Sequence, residues 1–347
     1  MTIQPRSIEE LQAAIREHPA IAVRGGGTKS TPVADSRVVT LEMSALRGVT
    51  EYSPEECVLT ALGGTPVFEI NDCLAKYGQY LPFDPLLVDA GATIGGTIAT
   101  GLSGSGRHRY GGVRDFVIGM RVVDGEGRVI RSGGKVVKNA AGFLLHHGMV
   151  GSLGRFGVIA EVTLKVFPAP QARATVRVES GAGEETARRL QAFDLEAIDF
   201  DSGQTGEPVW ARIAGRAESL DERIDRVRSV VGGVRMDASD ADRLWADARE
   251  LRWAPADSSL IKISGRAGDQ MEVASRFTCA GSDWWIAVED VTITDAVLKV
   301  TGGRGLVVRG PRAGTLIGRA TPGVFDERVR SVLDPRNRFS AAPDPQR

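Results

Sequence analysis

The residues best suited to chemistry lie in two glycine-rich stretches of the first half of the chain. Arg24-Gly25-Gly26-Gly27-Thr28-Lys29-Ser30 follows a short apolar run, Ile21 to Arg24, that reads as a strand. Glycines after a strand can turn successive backbone N–H groups toward a phosphate, with hydroxyls and a cation completing the shell. The pattern is not a Walker A loop, because Thr28 and Val23 stand where glycines are required. Nor is it a Rossmann fingerprint, since no G-x-G-x-x-G leads from a strand into a helix. Taken alone, the loop is equally readable as a flexible glycine turn. A second stretch, Thr93-Ile94-Gly95-Gly96-Thr97 through Gly101-Leu102-Ser103-Gly104, repeats the composition. Two phosphate-cradling loops in one domain suit a ligand with a pyrophosphate.

The titratable side chains narrow the chemistry. All four histidines, His18, His108, His146 and His147, precede residue 171. His108, in Gly106-Arg107-His108-Arg109-Tyr110, is read as a partly exposed loop histidine in preference to a ligand or substrate contact. Arg107, Arg109 and Arg114 suit a phosphate or a carboxylate, which arginine grips bidentately, or form a surface cluster. His146 and His147 close an apolar helical run and are expected to help cap it in preference to binding metal, because adjacent helical residues point apart. Cys57, Cys73 and Cys279 are too scattered for a disulfide framework or a cluster motif, and no metal site is expected. With 43 basic and 44 acidic residues the net charge is -1, which removes the electrostatic case for a nucleic-acid binder. No apolar run is long enough to span a bilayer and no signal-peptide core is present, so a cytoplasmic location is expected.

These groups need elements to hold them. Ser7-Ile8-Glu9-Glu10 has the form of a capping box and predicts a helix to about Glu17. Thr65-Pro66 predicts an N-cap and first helical residue, followed by an apolar face of Val67, Ile70, Leu74 and Tyr77, with Gly78 as the stop. Ile94, Ile98 and Leu102 have helical spacing inside the second glycine stretch. Asp115 to Val123, a turn at Asp124–Gly127 and Arg128 to Arg131 make a hairpin. The strand around Val162 to Val166 runs into Pro168-Ala169-Pro170, which marks a boundary. The reading is therefore two domains, 1–170 and 171–347, with the final segment 321–347 expected back on the first. The second alternates strands at 175–178, 209–213, 260–263, 285–288 and 306–308 with helices near 183–193, 218–231, 239–251 and 325–333. That order suggests an antiparallel sheet covered by helices on one side. Trp245, Trp253, Trp284 and Trp285 are expected in its core, with an interface role for a few of them as the alternative.

The ordered set RGGGTKS, ATIGGTIATGLSG, YGGVRDFVIGMRVVDGEG, KVVKNAAGF and GSLGRFGVIAEVTLKV resembles the FAD-binding domain of vanillyl-alcohol-oxidase-type (PCMH-type) flavoproteins. Within that superfamily it looks most like the FAD-binding accessory subunits of bacterial glycolate oxidases. The likeness covers residues 15–170 and, in Leu333-Asp334-Pro335-Arg336-Asn337-Arg338-Phe339, the terminal segment.

The resemblance implies an α+β protein, with a non-Rossmann FAD site between two small subdomains and an antiparallel-sheet α+β domain behind. By position, Gly25, Gly26, Gly27, Thr28, Lys29 and Ser30 would hold the pyrophosphate from one side. Thr93, Gly95, Gly96, Gly101 and Ser103 would hold it from the other, with Arg107 nearby. Val158 and Ile159 would meet the adenine end or the ring with their backbone. The first loop has no histidine, which implies FAD held without a covalent link. Catalytic relatives carry a His-rich cluster in the second domain, and none is present here. Phe143 and Leu144 stand where relatives commonly have Tyr and Asp, so the polar contacts usual at that site are missing. The implied role is an FAD-binding subunit working beside a homologous catalytic flavoprotein and an iron-sulfur subunit, cytoplasmic or peripheral on the inner membrane face through those partners. Two alternatives stand beside it, a stand-alone FAD-dependent 2-hydroxy-acid dehydrogenase and a flavin-free structural subunit.

Overall fold

In the computed structural model, which describes residues 1–30, 35–134, 144–179, 183–202, 208–264, 275–319 and 324–339, the first glycine loop leaves the edge of a small parallel sheet. Strand Val39–Glu42 is its centre, flanked by Thr2–Ile3 and Ile21–Arg24. Helix Ile8–Glu17 covers it, burying Leu11, Ala14 and Ile15, which recur at helical spacing. Ser7 caps that helix by accepting from the Glu10 amide at 3.1 Å. The expected reciprocal box is not formed, because Glu10 Oε2 accepts from the Arg6 amide, one residue earlier, at 2.8 Å.

A five-stranded antiparallel sheet follows, in the order Val49–Ser53, Val58–Leu62, Val158–Lys165, Val117–Val123, Val129–Gly133. The last two strands are the expected hairpin. Its turn is tied by Asp124 Oδ1, which accepts from the amides of Glu126 (2.9 Å) and Arg128 (2.8 Å). Helices Val67–Ala75 and Ile94–Thr100 pack on this sheet through Val67, Ile70, Leu74, Ile94 and Ile98, all 0% exposed. Thr65 does not cap the first of these helices, contrary to expectation. Its hydroxyl instead closes a turn, donating to Leu62 O at 2.6 Å and accepting from the Gly48 amide at 2.8 Å, and the helix starts after Pro66. Tyr77 lies beyond the helix and is exposed. His146 and His147 sit on a single turn, Leu145–Gly148, whose tightness brings their rings to 4.4 Å instead of apart. Among the expected residues of the segment 135–143, Lys138 and Phe143 lie outside the described residues.

The remaining strands form a nine-stranded antiparallel sheet in the order Val234–Arg235, Ala172–Val178, Val209–Gly215, Ala197–Ser202, Ser275–Thr278, Asp283–Val288, Ser259–Ser264, Arg304–Arg309, Leu316–Gly318. Strand periodicity gives it two unlike faces. Val176, Ile198, Ala211 and Ile213 pack under helices Gly183–Leu190 and Leu220–Val231, and Ile261, Ile286 and Val307 under helix Val291–Thr301. The alternate residues, among them Asp199, Arg212, Lys262, Arg276 and Asp283, are also buried and face the first half of the chain. Four strands, Ala197–Ser202, Val234–Arg235, Ser275–Thr278 and Leu316–Gly318, and the helix Val291–Thr301 were not expected from the sequence. Trp284 and Trp285 are buried as expected, while Trp245 and Trp253 are half-buried and lie against the guanidinium groups of Arg212 and Arg276. Helix Val324–Leu333 places Leu333 in the core of the five-stranded sheet, and Phe339 joins the core under helix Ile8–Glu17. The Ile21 amide donates to Arg338 O at 2.7 Å, so this last segment braces the strand that carries the glycine loop.

Candidate cofactor site

Between the two glycine stretches lies a cavity of about 700 Å³, reaching from Ile21 and Phe339 to Leu153 and Thr315. Its walls can approach because they are nearly free of side chains. A Cβ on Gly26 would lie 2.0 Å from Gly91 O, and one on Gly95 would lie 2.7 Å from Gly63 O. No rotamer relieves a clash with backbone, so glycine is obligatory at both positions by the protein's own packing. Thr93 caps helix Ile94–Thr100 by accepting from the Gly96 amide at 3.3 Å. The next amides of that helix are also engaged, Ile94 N with Thr65 O at 2.9 Å and Gly95 N with Gly63 O at 2.8 Å.

The first loop differs. Among the described residues, the amides of Gly26, Gly27, Thr28 and Lys29 have no main-chain hydrogen-bond partner. Backbone donors left without partners require water or a ligand. Lys29 lines the same cavity at 8% exposure, its Nζ donating to Thr28 Oγ1 at 3.1 Å. Burial pushes its pKa down to about 8, an effect that the carboxylate of Glu250 only partly opposes. Arg24 and Arg312 add two further cations to the lining, and Ser152 Oγ is buried there without a hydrogen-bond partner. The cavity thus combines open amides, a partnerless hydroxyl and three cations against one lining carboxylate, Asp35, which is paired with Arg37 at 2.7 Å. That donor set calls for an anionic ligand with several acceptor oxygens.

Of the residues singled out in the sequence, Gly25, Gly26, Gly27, Thr28, Lys29, Ser30, Thr93, Gly95, Gly96, Val158 and Ile159 line this cavity. Gly101, Ser103 and Arg107 do not. Gly101 ends helix Ile94–Thr100 with φ 66°, and Ser103 Oγ accepts from the Val113 amide at 2.9 Å. Arg107 turns to the large sheet and grips both oxygens of Asp283 at 3.0 Å. These three hold the loop in place and lie away from the cavity. His108 is also absent from the lining, and burial lowers its pKa.

Arg107 belongs to a buried ionic seam between the first half of the chain and the charged sheet face. Asp283 also meets Lys262 Nζ at 3.0 Å. Arg212 pairs with Asp84 and, at 2.7 Å, with Glu196, which in turn receives Arg173 at 2.8 Å. Arg276 pairs with Asp201 at 2.8 Å and is sandwiched by Trp210 and Trp253. Ser105 donates to Asp199 at 2.5 Å, and burial pushes the Asp199 carboxyl up to about 6. Beside the seam, Leu86, Leu102, Leu251, Leu260 and Trp285 form an apolar cluster. Among the described residues, no group of three or more His, Cys, Asp or Glu side chains could hold a metal ion. No described helix is long and apolar enough to cross a membrane.

Sequence reasoning missed the far wall of the cavity. Pro311, Arg312, Gly314 and Thr315 reach it from the turn between strands Arg304–Arg309 and Leu316–Gly318. Nothing in their spacing connects them to loops some 200 or more residues earlier. Ser152 and Leu153 were within reach, since Gly151-Ser152-Leu153-Gly154 is a small glycine motif of the same kind.

Comparison with known proteins agrees with the geometry. Residues 1–133 match a family described as an FAD binding domain. The glycolate oxidase subunit GlcE of Escherichia coli is 34% identical over 248 residues, 70% of this chain and 67% of that protein. The subunit GlcD of Bacillus subtilis is 32% identical over 50% of this chain, which spans only 36% of that longer protein. p-Cresol methylhydroxylase has the same fold, with a TM-score of 0.75 at 15% identity, covering 100% of this chain and 89% of that one. The cavity fits FAD on its own terms. Its cations and open amides suit a diphosphate, its glycines permit close approach, and Val158, Ile159, Val23 and Leu153 supply apolar walls for ring systems. The chain is an FAD-binding flavoprotein of the PCMH-type fold, and it belongs to the family of glycolate oxidase subunits represented by GlcE.

Proposed function

We propose that this chain is the FAD-carrying accessory subunit of a complex that oxidises glycolate or a related small 2-hydroxy acid. In this reading it works beside a homologous catalytic flavoprotein and an iron-sulfur subunit, in the cytoplasm or on the inner membrane face through those partners. FAD, when bound, supplies reversible acceptance of an electron pair. The residues proposed to hold it are Gly25 to Ser30, Thr93, Gly95, Gly96, Val158 and Ile159. The loop amides and Lys29 would take the diphosphate, the glycines would let it approach, and the apolar walls would exclude water.

One observation carries the accessory role. Oxidation of a 2-hydroxy acid needs a base for the hydroxyl proton and a cation for the carboxylate. On the charged sheet face Arg173, Arg212, Lys262 and Arg276 are each committed to a carboxylate, and residues 171–347 contain no histidine. A stand-alone dehydrogenase would have to break one of these buried pairs, leaving its partner charge desolvated. The flavin-free structural reading keeps one point in its favour, since Gly26 and Gly95 are required by packing whether or not FAD binds. Against it stand the buried Lys29 and the loop amides, which among the described residues have no main-chain partner.

The test is the visible spectrum of the purified chain with FAD, followed by glycolate and D-lactate without oxygen. A flavin spectrum that neither acid bleaches supports the accessory subunit. Rapid bleaching by the isolated chain overturns it in favour of the stand-alone enzyme, and no flavin uptake leaves the structural subunit.

A further inference from the structure

The wall supplied by the second half of the chain is built, not incidental. Between strands Arg304–Arg309 and Leu316–Gly318 the turn is closed by Val307 N to Thr315 O at 3.0 Å and Gly314 N to Val307 O at 2.7 Å. Thr315 Oγ1 donates to Arg312 O at 2.6 Å, fixing the backbone from which the guanidinium projects. Gly314, at φ 82°, passes so near the first loop that a Cβ there would lie 2.8 Å from Lys29 O. The turn therefore touches the glycine loop itself.

Arg312 lines the cavity and stays 37% exposed. Its Nη1 meets Asp295 Oδ2 at 3.4 Å, a long contact to a carboxylate that also receives Lys299 Nζ at 3.2 Å and the Gly318 amide at 2.7 Å. Asp295 is thus well supplied with donors, and Arg312 keeps N–H groups for another acceptor. The only formal charges on FAD are those of its diphosphate. A guanidinium on a residue that lines the same cavity as Lys29 finds its natural partner there.

We propose that Arg312 is a cofactor-binding residue contributed across the domain boundary, pairing with the FAD diphosphate and oriented by Asp295. FAD would then be gripped by both halves of the chain, and Asp295 would be a positioning residue. The inference rests on FAD as the occupant of this cavity.

The experiment compares dissociation constants of the full chain for FAD and for riboflavin, which lacks phosphate, by quenching of flavin fluorescence. Arg312→Met should weaken FAD about 10- to 100-fold and leave riboflavin unchanged. Asp295→Asn should weaken FAD in the same direction, and Arg312→Met/Asp295→Asn should be no weaker than Arg312→Met, because the carboxylate acts through the guanidinium. Thermal unfolding of the flavin-free variants confirms that they are folded. Equal weakening of FAD and riboflavin would place Arg312 at the ring and overturn the assignment, as would FAD binding unaltered in Arg312→Met. Additive losses in the double variant would overturn the role of Asp295. If the wild type takes up no flavin, the cofactor reading falls first and this inference with it.

Discussion

Replacing Lys29 by Met should make the flavin-free protein more stable and its grip on FAD weaker. Lys29 is 8% exposed, and burial lowers its pKa from 10.5 to about 8. Each pKa unit corresponds to about 1.4 kcal/mol, so a charged Lys29 costs the flavin-free fold about 3 kcal/mol at neutral pH. The sign follows from linkage. Between pH 8 and 10.5 the unfolded chain binds the proton and the folded chain does not, so stability rises with pH through that window. Stability is correspondingly lost as pH falls through 8. Methionine removes the charge and keeps most of the volume, which should recover about 1 to 3 kcal/mol and flatten this pH dependence. An anionic diphosphate beside Nζ restores the proton, so FAD binding by the wild type should take up a proton above pH 8 and weaken up to about tenfold per pH unit. In Lys29→Met, FAD should bind about 10- to 100-fold more weakly, with that pH dependence gone. Urea unfolding of the flavin-free proteins at pH 7 and 9.5, and fluorescence titration with FAD over the same range, measure both halves. A flavin-free variant less stable than the wild type, or FAD affinity with the same pH slope in both, would refute the reasoning.

Other perturbations test the frame around the site. Asp199→Asn should stabilise the flavin-free protein by about 1 to 3 kcal/mol at pH 7, because burial raises its carboxyl to about 6 and stability is lost as pH rises from about 4 through 6. The gain should vanish below pH 4 in urea titrations, and destabilisation at pH 7 would contradict it. Asp283→Asn leaves Arg107 and Lys262 facing each other without a carboxylate and should cost about 3 to 5 kcal/mol, seen as a large drop in melting temperature. Gly26→Ala sets a Cβ against Gly91 O and should abolish FAD uptake while the far-UV circular dichroism of the large sheet persists. Retained FAD affinity in that variant would mean that the loops separate easily.

The glycine loops were legible in the sequence because backbone approach leaves a compositional trace, and 11 of the residues chosen from them and from strand Val158–Lys165 line one cavity. What that trace could not say is why each glycine is there. Gly26 and Gly95 answer to neighbouring carbonyls before any ligand, so their presence alone says little about FAD. Gly101 and Ser103 shared the composition without sharing the cavity, since the first ends a helix and the second holds the Val113 amide. Arg107 had the right charge, but its partner is a sheet carboxylate 176 residues away, which no local pattern encodes.

The unexpected elements have the same cause. Strand Ala197–Ser202, reading AIDFDS, places Asp199 on the buried charged face, so its alternation was invisible to an argument that equates burial with apolarity. Helix Val291–Thr301 is rich in Val, Thr and Ile, whose branched side chains favour strands. It is a helix because Asp290 accepts from the Thr292 amide at 2.7 Å, Gly302 ends it at φ 78°, and Val291 and Leu298 find a sheet to cover. Tertiary burial overrides propensity there.

The two faces of the large sheet account for the division of labour between the halves of the chain. Its apolar face is closed by helices and needs nothing further. Its polar face is held against the first half by Asp84, Ser105 and Arg107, all from the segment that follows or flanks the second glycine stretch. Neutralising the sheet cations with carboxylates on the same and the facing surface fixes the two halves of the chain together, and it removes the uncommitted arginine that a hydroxy-acid carboxylate would need. A reversed experiment follows from this. Removing the carboxylate that restrains a sheet arginine, as in Asp201→Asn, frees Arg276 between Trp210 and Trp253. If the paired charges are what withhold substrate binding, this variant should gain measurable affinity for glycolate or D-lactate, read as a perturbed flavin spectrum. Its destabilisation should be about 3 kcal/mol or more, the consequence of a buried guanidinium without its partner. A variant that loses stability yet leaves the spectrum unmoved by either acid would refute the idea that this ion pair is what withholds substrate binding.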